Sequence, residues 1–457
     1  MPIPSRRFRS TRAAIIAALT ALLCAPVLLF AHAKLLRSSP ASDAALDAAP
    51  TAISLWFSEK PELKFSSIEL ADSLGAPISL GAITAIDVMG ISAPIATPLA
   101  AGRYTIAWKT AAADGHGTSG KLAFQVKGAV LPPAATITIQ PGKRSRSAAL
   151  DANAVVQTDN EVSISSATRW LELVGLLVLV GIVIFRLAVL PAAQWTGDAL
   201  SDVDDRLRRL ANGTLVLLLV SMLMRAFVQA DLLPYQSSRM ESLKIVVRDT
   251  QWGHGWAVGA IGAVVLLVGL AFARRGVAGW AVAAVGLIAV ALGLSLTGHS
   301  VASPHVALAV AADVSHMLAA GGWLGGLAAL MMAGLPSVKR LAHKASSDHG
   351  SRLLKSFHSS ATECVVLVVA TALVSSWLRL GAFDALWKTP YGNMLLRKVF
   401  FVAVALALGL YHARRIVPAT WSDDVVARFK RSAFAELIIG LVIVGFTALL
   451  ISMPLPR

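Results

Sequence analysis

The chain is poor in cysteine and in charge. Of its two cysteines, Cys24 falls in the N-terminal apolar run and Cys364 inside a later one, which excludes an intrachain disulfide framework. Only 15% of residues are charged and 56% are hydrophobic, with a mean hydropathy of +0.67. That is too apolar for an ordinary soluble enzyme and indicates a membrane protein. No glycine-rich G-x-x-x-x-G-K-[ST] run is present, so ATP-driven pumping through a P-loop is excluded. The formal net charge is +15, yet nucleic acid is not an expected partner, because no basic patch sits on a soluble module. The basic residues lie instead in short loops between apolar runs, as membrane orientation demands.

What is present begins with a leader. Residues 1–31 have a basic start, an apolar stretch from Ala13 to Phe30 and small residues at the end, which is a signal-peptide pattern. An uncleaved anchor helix is the alternative. From 32 to 127 the character changes to short alternating runs such as AISLWF, FSSIELAD, GRYTIAWKT and KLAFQV, separated by Gly, Pro and Asp. Period-two runs at this spacing predict an all-β Greek-key (Ig-like) sandwich. Trp56, Phe57, Tyr104, Trp108 and Phe124 are its expected large core residues. Residues 128–166, rich in Pro, Ala and Ser without sustained periodicity, read as a linker.

Residues 167–457 read as an all-α polytopic membrane domain of eight helices. The apolar segments lie near 168–191, 208–230, 255–273, 277–297, 306–334, 361–381, 395–413 and 433–452, each close to the roughly 20 residues needed to cross a bilayer core. Basic clusters fall after the first, third, fifth and seventh spans, among them Arg206-Arg208-Arg209, Arg274-Arg275, Lys339-Arg340 and Arg428-Lys430-Arg431. The other loops hold only Arg239, Lys244, Arg248, Lys388, Arg397 and Lys398. The positive-inside rule then puts the sandwich and the C-terminus outside a bacterial inner membrane, in the periplasm.

Two places carry candidate ligands. In AADGHGTSGKLAFQV, Asp114 and His116 are two residues apart, so an extended segment projects both to one side. His32 stands at a plausible mature N-terminus, and cleavage after Ala31 would place its α-amine beside its own imidazole. Two imidazoles, an amine and a carboxylate form a mixed N,O set suited to tetragonal Cu(II). Spacing alone leaves a surface turn as the alternative. Cleavage after Ala33, also an A-x-A match, would discard His32.

The blocks HAKLLRSSPASDAAL, LWFSEKPELKFSSIEL and GRYTIAWKTAAADGHGTSGKLAFQV, in that order, resemble the copper-binding CopC family over nearly the whole exported domain. The resemblance implies a β-sandwich that binds Cu(II) through His32, Asp114 and His116, with Glu59 as an outer ligand or supporting carboxylate; a solvated strand end is the other reading of Glu59. Some family members add a Met-rich Cu(I) site. This exported domain contains only Met89, which implies a Cu(II)-only version.

In the fifth span Asp313 and His316 are three apart and share a helix face. His305 lies eleven residues before His316, close to three turns. His299, in LTGHS, ends the fourth span. Ionisable groups inside a span face a cavity or a partner rather than lipid, so these four residues read either as a metal or proton route or as hydrogen-bonded fasteners between helices. The glycines of GGWLGG permit close helix approach. Met222, Met224 and Met317 offer thioethers for Cu(I), although the first two do not share a face. TGHS, D-x-x-H followed by GGWLGG, the segment TPYGNMLLRK, and a last span with Glu436 near its start and MPLP at its end resemble the CopD copper-resistance membrane family.

The expected function is copper binding outside the inner membrane and copper transport, in the import direction, across it. No enzyme activity is expected. Copper ions and the bilayer are the expected partners, with periplasmic copper chaperones as candidates. Two alternatives stay open: a haem-binding electron-transfer protein that reduces Cu(II), using His299, His316 or His412, and a copper sensor or scaffold without transport.

Overall fold

A computed structural model describes residues 35–57, 60–111, 117–127, 159–231, 238–341 and 343–453. They form a β unit and a helical unit. The expected leader 1–31, residues 32–34 and positions 128–158 of the expected linker lie outside the described residues.

Two sheets build the β unit. One contains β1 (Leu35–Ser39), β3 (Ala52–Phe57), β6 (Thr84–Ala85) and β7 (Gly90–Pro94), in the order β1-β3-β7-β6. The other contains β2 (Ala45–Leu46), β4 (Ser67–Ala71), β5 (Pro77–Ile78), β8 (Gly102–Ala111) and β9 (Gly117–Val126), in the order β2-β9-β8-β4-β5. The predicted sandwich is thus present, with non-sequential neighbours in both sheets. Alternation along β3 explains its burial: Ile53, Leu55 and Phe57 point inward and are at most 1% exposed. They meet Ile68, Leu70, Ile106, Leu122 and Phe124 of the other sheet in one cluster, and each such side chain contributes about 1.5–3 kcal/mol on full burial.

The expected aromatic core needs one correction. Tyr104, Trp108, Phe57 and Phe124 are buried, but Trp56 is not part of the cluster. Successive strand residues point to opposite faces, so Trp56 and Phe57 cannot both enter the core. Phe57 packs edge-on against Trp108 with ring centroids 5.4 Å apart. Trp56 turns outward under the Arg37 guanidinium, 3.8 Å from its ring, and donates from Nε1 to Asp87 Oδ2 at 2.8 Å. The Met89 N–H and the Trp56 indole hold the Asp87 carboxyl below its usual range. In the β8–β9 ladder Trp108 faces Gly120, where a Cβ would stand 2.7 Å from Trp108 Cζ2. Glycine there makes room for the ring.

Among the described residues eight helices are long and apolar enough to cross a membrane: α1 (Ile164–Ala192), α2 (Gly197–Ala230), α3 (Gln251–Arg275), α4 (Val277–Leu296), α5 (Val306–Val338), α6 (Ser347–Leu380), α7 (Pro390–Ile416) and α8 (Asp423–Ser452). Most run past the apolar windows read from sequence, because helical hydrogen bonding continues through polar turns that need not sit in hydrocarbon. α8 starts where the Ser422 side chain accepts from the Val425 N–H, with Asp423 and Asp424 in its first turn; both features stabilise a helix N-terminus. The helix that contains α1 begins at Asp159, so the end of the expected linker, 159–166, is helical.

Burial separates the helices into centre and edge. The apolar windows of α1 and α5 are 72% and 78% buried, against 17% for α6 and 6% for α7. Close approach follows small residues: at Gly262 of α3 a Cβ would lie 2.6 Å from the Val290 nitrogen of α4.

Candidate functional site

His32, Glu59, Asp114 and His116 lie outside the described residues. Their anchor points are described. His32 precedes β1 by three residues, at most about 10 Å of chain, and Glu59 follows the end of β3 by two. Leu35 of β1 pairs with Phe57 of β3. Asp114 and His116 belong to the five residues that join Ala111 of β8 to its partner Gly117 of β9. The Phe57–Trp108 contact brings the end of β3 beside β8 three residues before that connection. The described residues that flank these four in sequence, Leu35, Phe57, Ala111 and Gly117, thus belong to paired or packed strands.

In the helical unit the polar residues form a line. Helices α5 and α6 run antiparallel, and their facing residues pair in steady register. Asp313 accepts two hydrogen bonds from the Arg379 guanidinium, at 2.6 and 2.7 Å, and one from the Ser375 hydroxyl at 3.3 Å. One step along, His316 Nδ1 meets Thr371 Oγ1 at 3.0 Å. Beyond it Gly322 faces Cys364 and Gly326 faces Phe357. On α5 the polar positions are Asp313, His316 and then Trp323; on α6 they are Arg379, Ser375 and Thr371, spaced by four so that they share one face.

Thr371 fixes the chemistry of His316. Its hydroxyl lies 2.7 Å from the Leu367 carbonyl; with its hydrogen given to that carbonyl it acts as acceptor toward His316, and Nδ1 then carries the proton. A neutral ring then keeps its lone pair on Nε2, the state in which imidazole binds a metal. Asp313 is differently placed. It shares a face with His316, as the spacing requires, but its hydrogen bonds go to Arg379, Ser375 and, through a short contact, Ser300. Tyr391 of α7 joins the same guanidinium.

The LTGHS turn is clamped from two sides. Thr297 receives hydrogen bonds from Arg225, at 2.6 Å to its hydroxyl and 3.3 Å to its carbonyl, and Arg225 pairs with Glu172 of α1 at 2.9 Å. Ser300 is tied to Asp313. His299 between them is buried, 5% exposed, whereas His305 is exposed at the start of α5. Met222 is buried and Met224 is 45% exposed, as residues two apart on a helix must differ. Among the described residues no group of three or more His, Cys, Asp and Glu could hold a metal ion.

The line ends at a cavity of about 300 Å³ toward the end of the bundle that carries the basic loops. Trp323, His358, His412 and Glu436 line it, with Phe357, Phe429 and other apolar residues. Trp323 Nε1 donates to Glu436 Oε1 at 2.8 Å, and His412 Nδ1 lies 3.4 Å from Glu436 Oε2. Sequence reading noted Glu436 and His412 singly but not as neighbours, and it missed Arg379, Thr371, Arg225 and Glu172. Polar residues recurring every fourth position in the apolar run of α6 were the available signal.

Comparison with known proteins covers both units. Residues 35–127 match the CopC domain, residues 160–309 the copper resistance protein D-like N-terminal domain, and residues 351–450 copper resistance protein D. Asp313, His316 and Trp323 fall between the two membrane matches. Protein YobA of Escherichia coli (strain K12) is 37% identical over 121 residues, which span 26% of this chain and 96% of that protein. Copper resistance protein C of Xanthomonas campestris pv. juglandis is 32% identical over 127 residues, 26% of this chain and 98% of its own length. Copper transport protein CutJ of Bacillus subtilis (strain 168) is 22% identical over 434 residues, 89% of this chain and 74% of that one. A β-sandwich, eight apolar helices among the described residues and these matches along both assign the chain to the copper-resistance family in which a CopC domain is followed by a copper resistance protein D membrane domain.

Proposed function

We propose that this protein binds Cu(II) outside the inner membrane and carries copper inward across it, without catalysing a covalent change. In this reading cleavage after Ala31 frees the His32 amine, which with the imidazoles of His32 and His116 and the Asp114 carboxylate holds Cu(II). The distribution of basic loops supports a periplasmic sandwich and C-terminus, and an inside-negative potential favours cation entry.

The observation that carries the transport reading is the polar seam between α5 and α6. A helix as deeply buried as α5, with 78% of its apolar window covered, keeps Asp313 and His316 inside the bundle only if they have protein or ion partners. Asp313 is satisfied by Arg379. His316 is satisfied at Nδ1 by Thr371, which leaves Nε2 as a donor for a passing copper ion. A single ligand that is not part of a chelate lets the ion leave again, as conduction requires.

Copper uptake into proteoliposomes tests this. The wild-type protein should accumulate copper, and His316→Ala should lose most of the uptake while still binding one Cu(II) per chain. Equal uptake by both would defeat the route. A Soret band in the purified protein would favour the haem alternative.

A further inference from the structure

The hydrogen bonds around Glu436 make a place for a shared proton between it and His412. The Ser432 hydroxyl donates to the carbonyls of Arg428 and Phe429, each at 3.0 Å. With its one hydrogen directed to these carbonyls it accepts from His412, whose Nε2 lies 2.8 Å away and in that arrangement carries a hydrogen. On the other side of the ring Nδ1 faces Glu436 Oε2 at 3.4 Å. Glu436 Oε1 already receives the Trp323 N–H. A neutral ring protonated on Nε2 and an ionised carboxylate would bring two lone pairs together, inside protein where Glu436 is 2% and His412 6% exposed. Repulsion at that range in a low-dielectric interior is costly. One proton between Nδ1 and Oε2 removes it, either as a carboxylic acid donating to nitrogen or as an imidazolium donating to oxygen, and in both forms the pair is neutral.

We infer that the His412–Glu436 pair is a proton-exchange site, and that copper and a proton occupy this end of the bundle alternately, so that transport is copper/proton exchange. Both residues line the 300 Å³ cavity, so the proton has somewhere to go: it passes to water there, leaving a carboxylate, a neutral imidazole and a net charge of −1. That charge draws the transported cation into the cavity, and the cation's departure restores the proton. The two occupancies exclude each other because one negative charge serves both. Among the described residues the only other titratable side chain lining the cavity is His358 of α6; Trp323 of α5 and Ser432 of α8 complete the surroundings as fixed hydrogen-bonding groups.

This inference rests on the transport reading, and the test separates the two. The full-length protein is reconstituted into vesicles containing a lumenal pH dye, and copper is added outside under imposed pH gradients. Wild-type protein should alkalinise the lumen as copper enters, and for one-to-one exchange the steady-state copper ratio should change about tenfold per unit of pH gradient. Glu436→Gln keeps an acceptor for Trp323 and an amide donor for His412 but binds no proton. Any copper it carries should be independent of the gradient and leave the lumenal pH unchanged. Wild-type copper entry without a lumenal pH change, or Glu436→Gln that remains fully coupled, overturns the exchange alone. A wild-type protein that carries no copper refutes transport and the exchange with it.

Discussion

Asp313→Asn separates a fastening role from an ion-binding one. Asp313 accepts from Arg379 at 2.6 and 2.7 Å and from Ser375 at 3.3 Å, and its removal as a charge leaves the guanidinium with no carboxylate at that point. Breaking a buried ion pair by neutralising one partner costs about 3–5 kcal/mol. The two side chains are 20% and 23% exposed, so the lower end applies. A loss of about 3 kcal/mol corresponds to roughly a hundredfold in the folding equilibrium. Reversible unfolding in mixed micelles by increasing SDS, followed by circular dichroism, measures it. The double variant Asp313→Asn with Arg379→Gln removes both charges and should recover more than half of the loss, since neither partner is then stranded. Copper uptake by the double variant decides the role: if it is retained, Asp313 fastens α5 to α6 and His316 carries the ion. A single variant as stable as wild type, or a double variant no better than the single, would refute the reasoning.

Two further outcomes are expected. Thr371→Val removes the acceptor for His316 Nδ1 and should lower copper uptake about 10–100-fold, the usual effect of losing a group that orients a ligand, with Thr371→Ser retaining most of it; uptake unchanged in Thr371→Val would show that the tautomer does not matter. Gly120→Ala places a Cβ 2.7 Å from the Trp108 ring and should destabilise the β unit by about 1–3 kcal/mol, which urea titration of residues 32–127 would detect.

Much of the architecture was legible because it depends on local pattern. Strand alternation and eight apolar windows are properties of consecutive residues, and they gave the sandwich and the helical domain in order. Trp56 was misplaced by treating bulk as burial, when the parity of Ile53, Leu55 and Phe57 already assigned it to the other face. The helices outran their apolar windows because hydropathy detects hydrocarbon contact and not hydrogen bonding. The seam was half legible. Asp313 and His316 declared themselves as polar residues in an apolar run, but their partners Arg379 and Thr371 are 66 and 55 residues away, and nothing local records which helices lie side by side. The meeting of His412 with Glu436 was hidden for the same reason.

The crossing of α1 and α5 has a mechanical consequence. At Gly181 a Cβ would fall on the backbone of Gly325 and Gly326, and at Gly325 on the Leu177 carbonyl. Main chain lies against main chain there, so these two helices have no side-chain cushion through which to slide. Asp313, His316 and Trp323 thus stand on a fixed wall. If the seam widens to admit an ion, the displacement belongs to α6 and to α7 beyond it, the thinly covered helices at the rim, which would swing as a gate while α1 and α5 serve as its post.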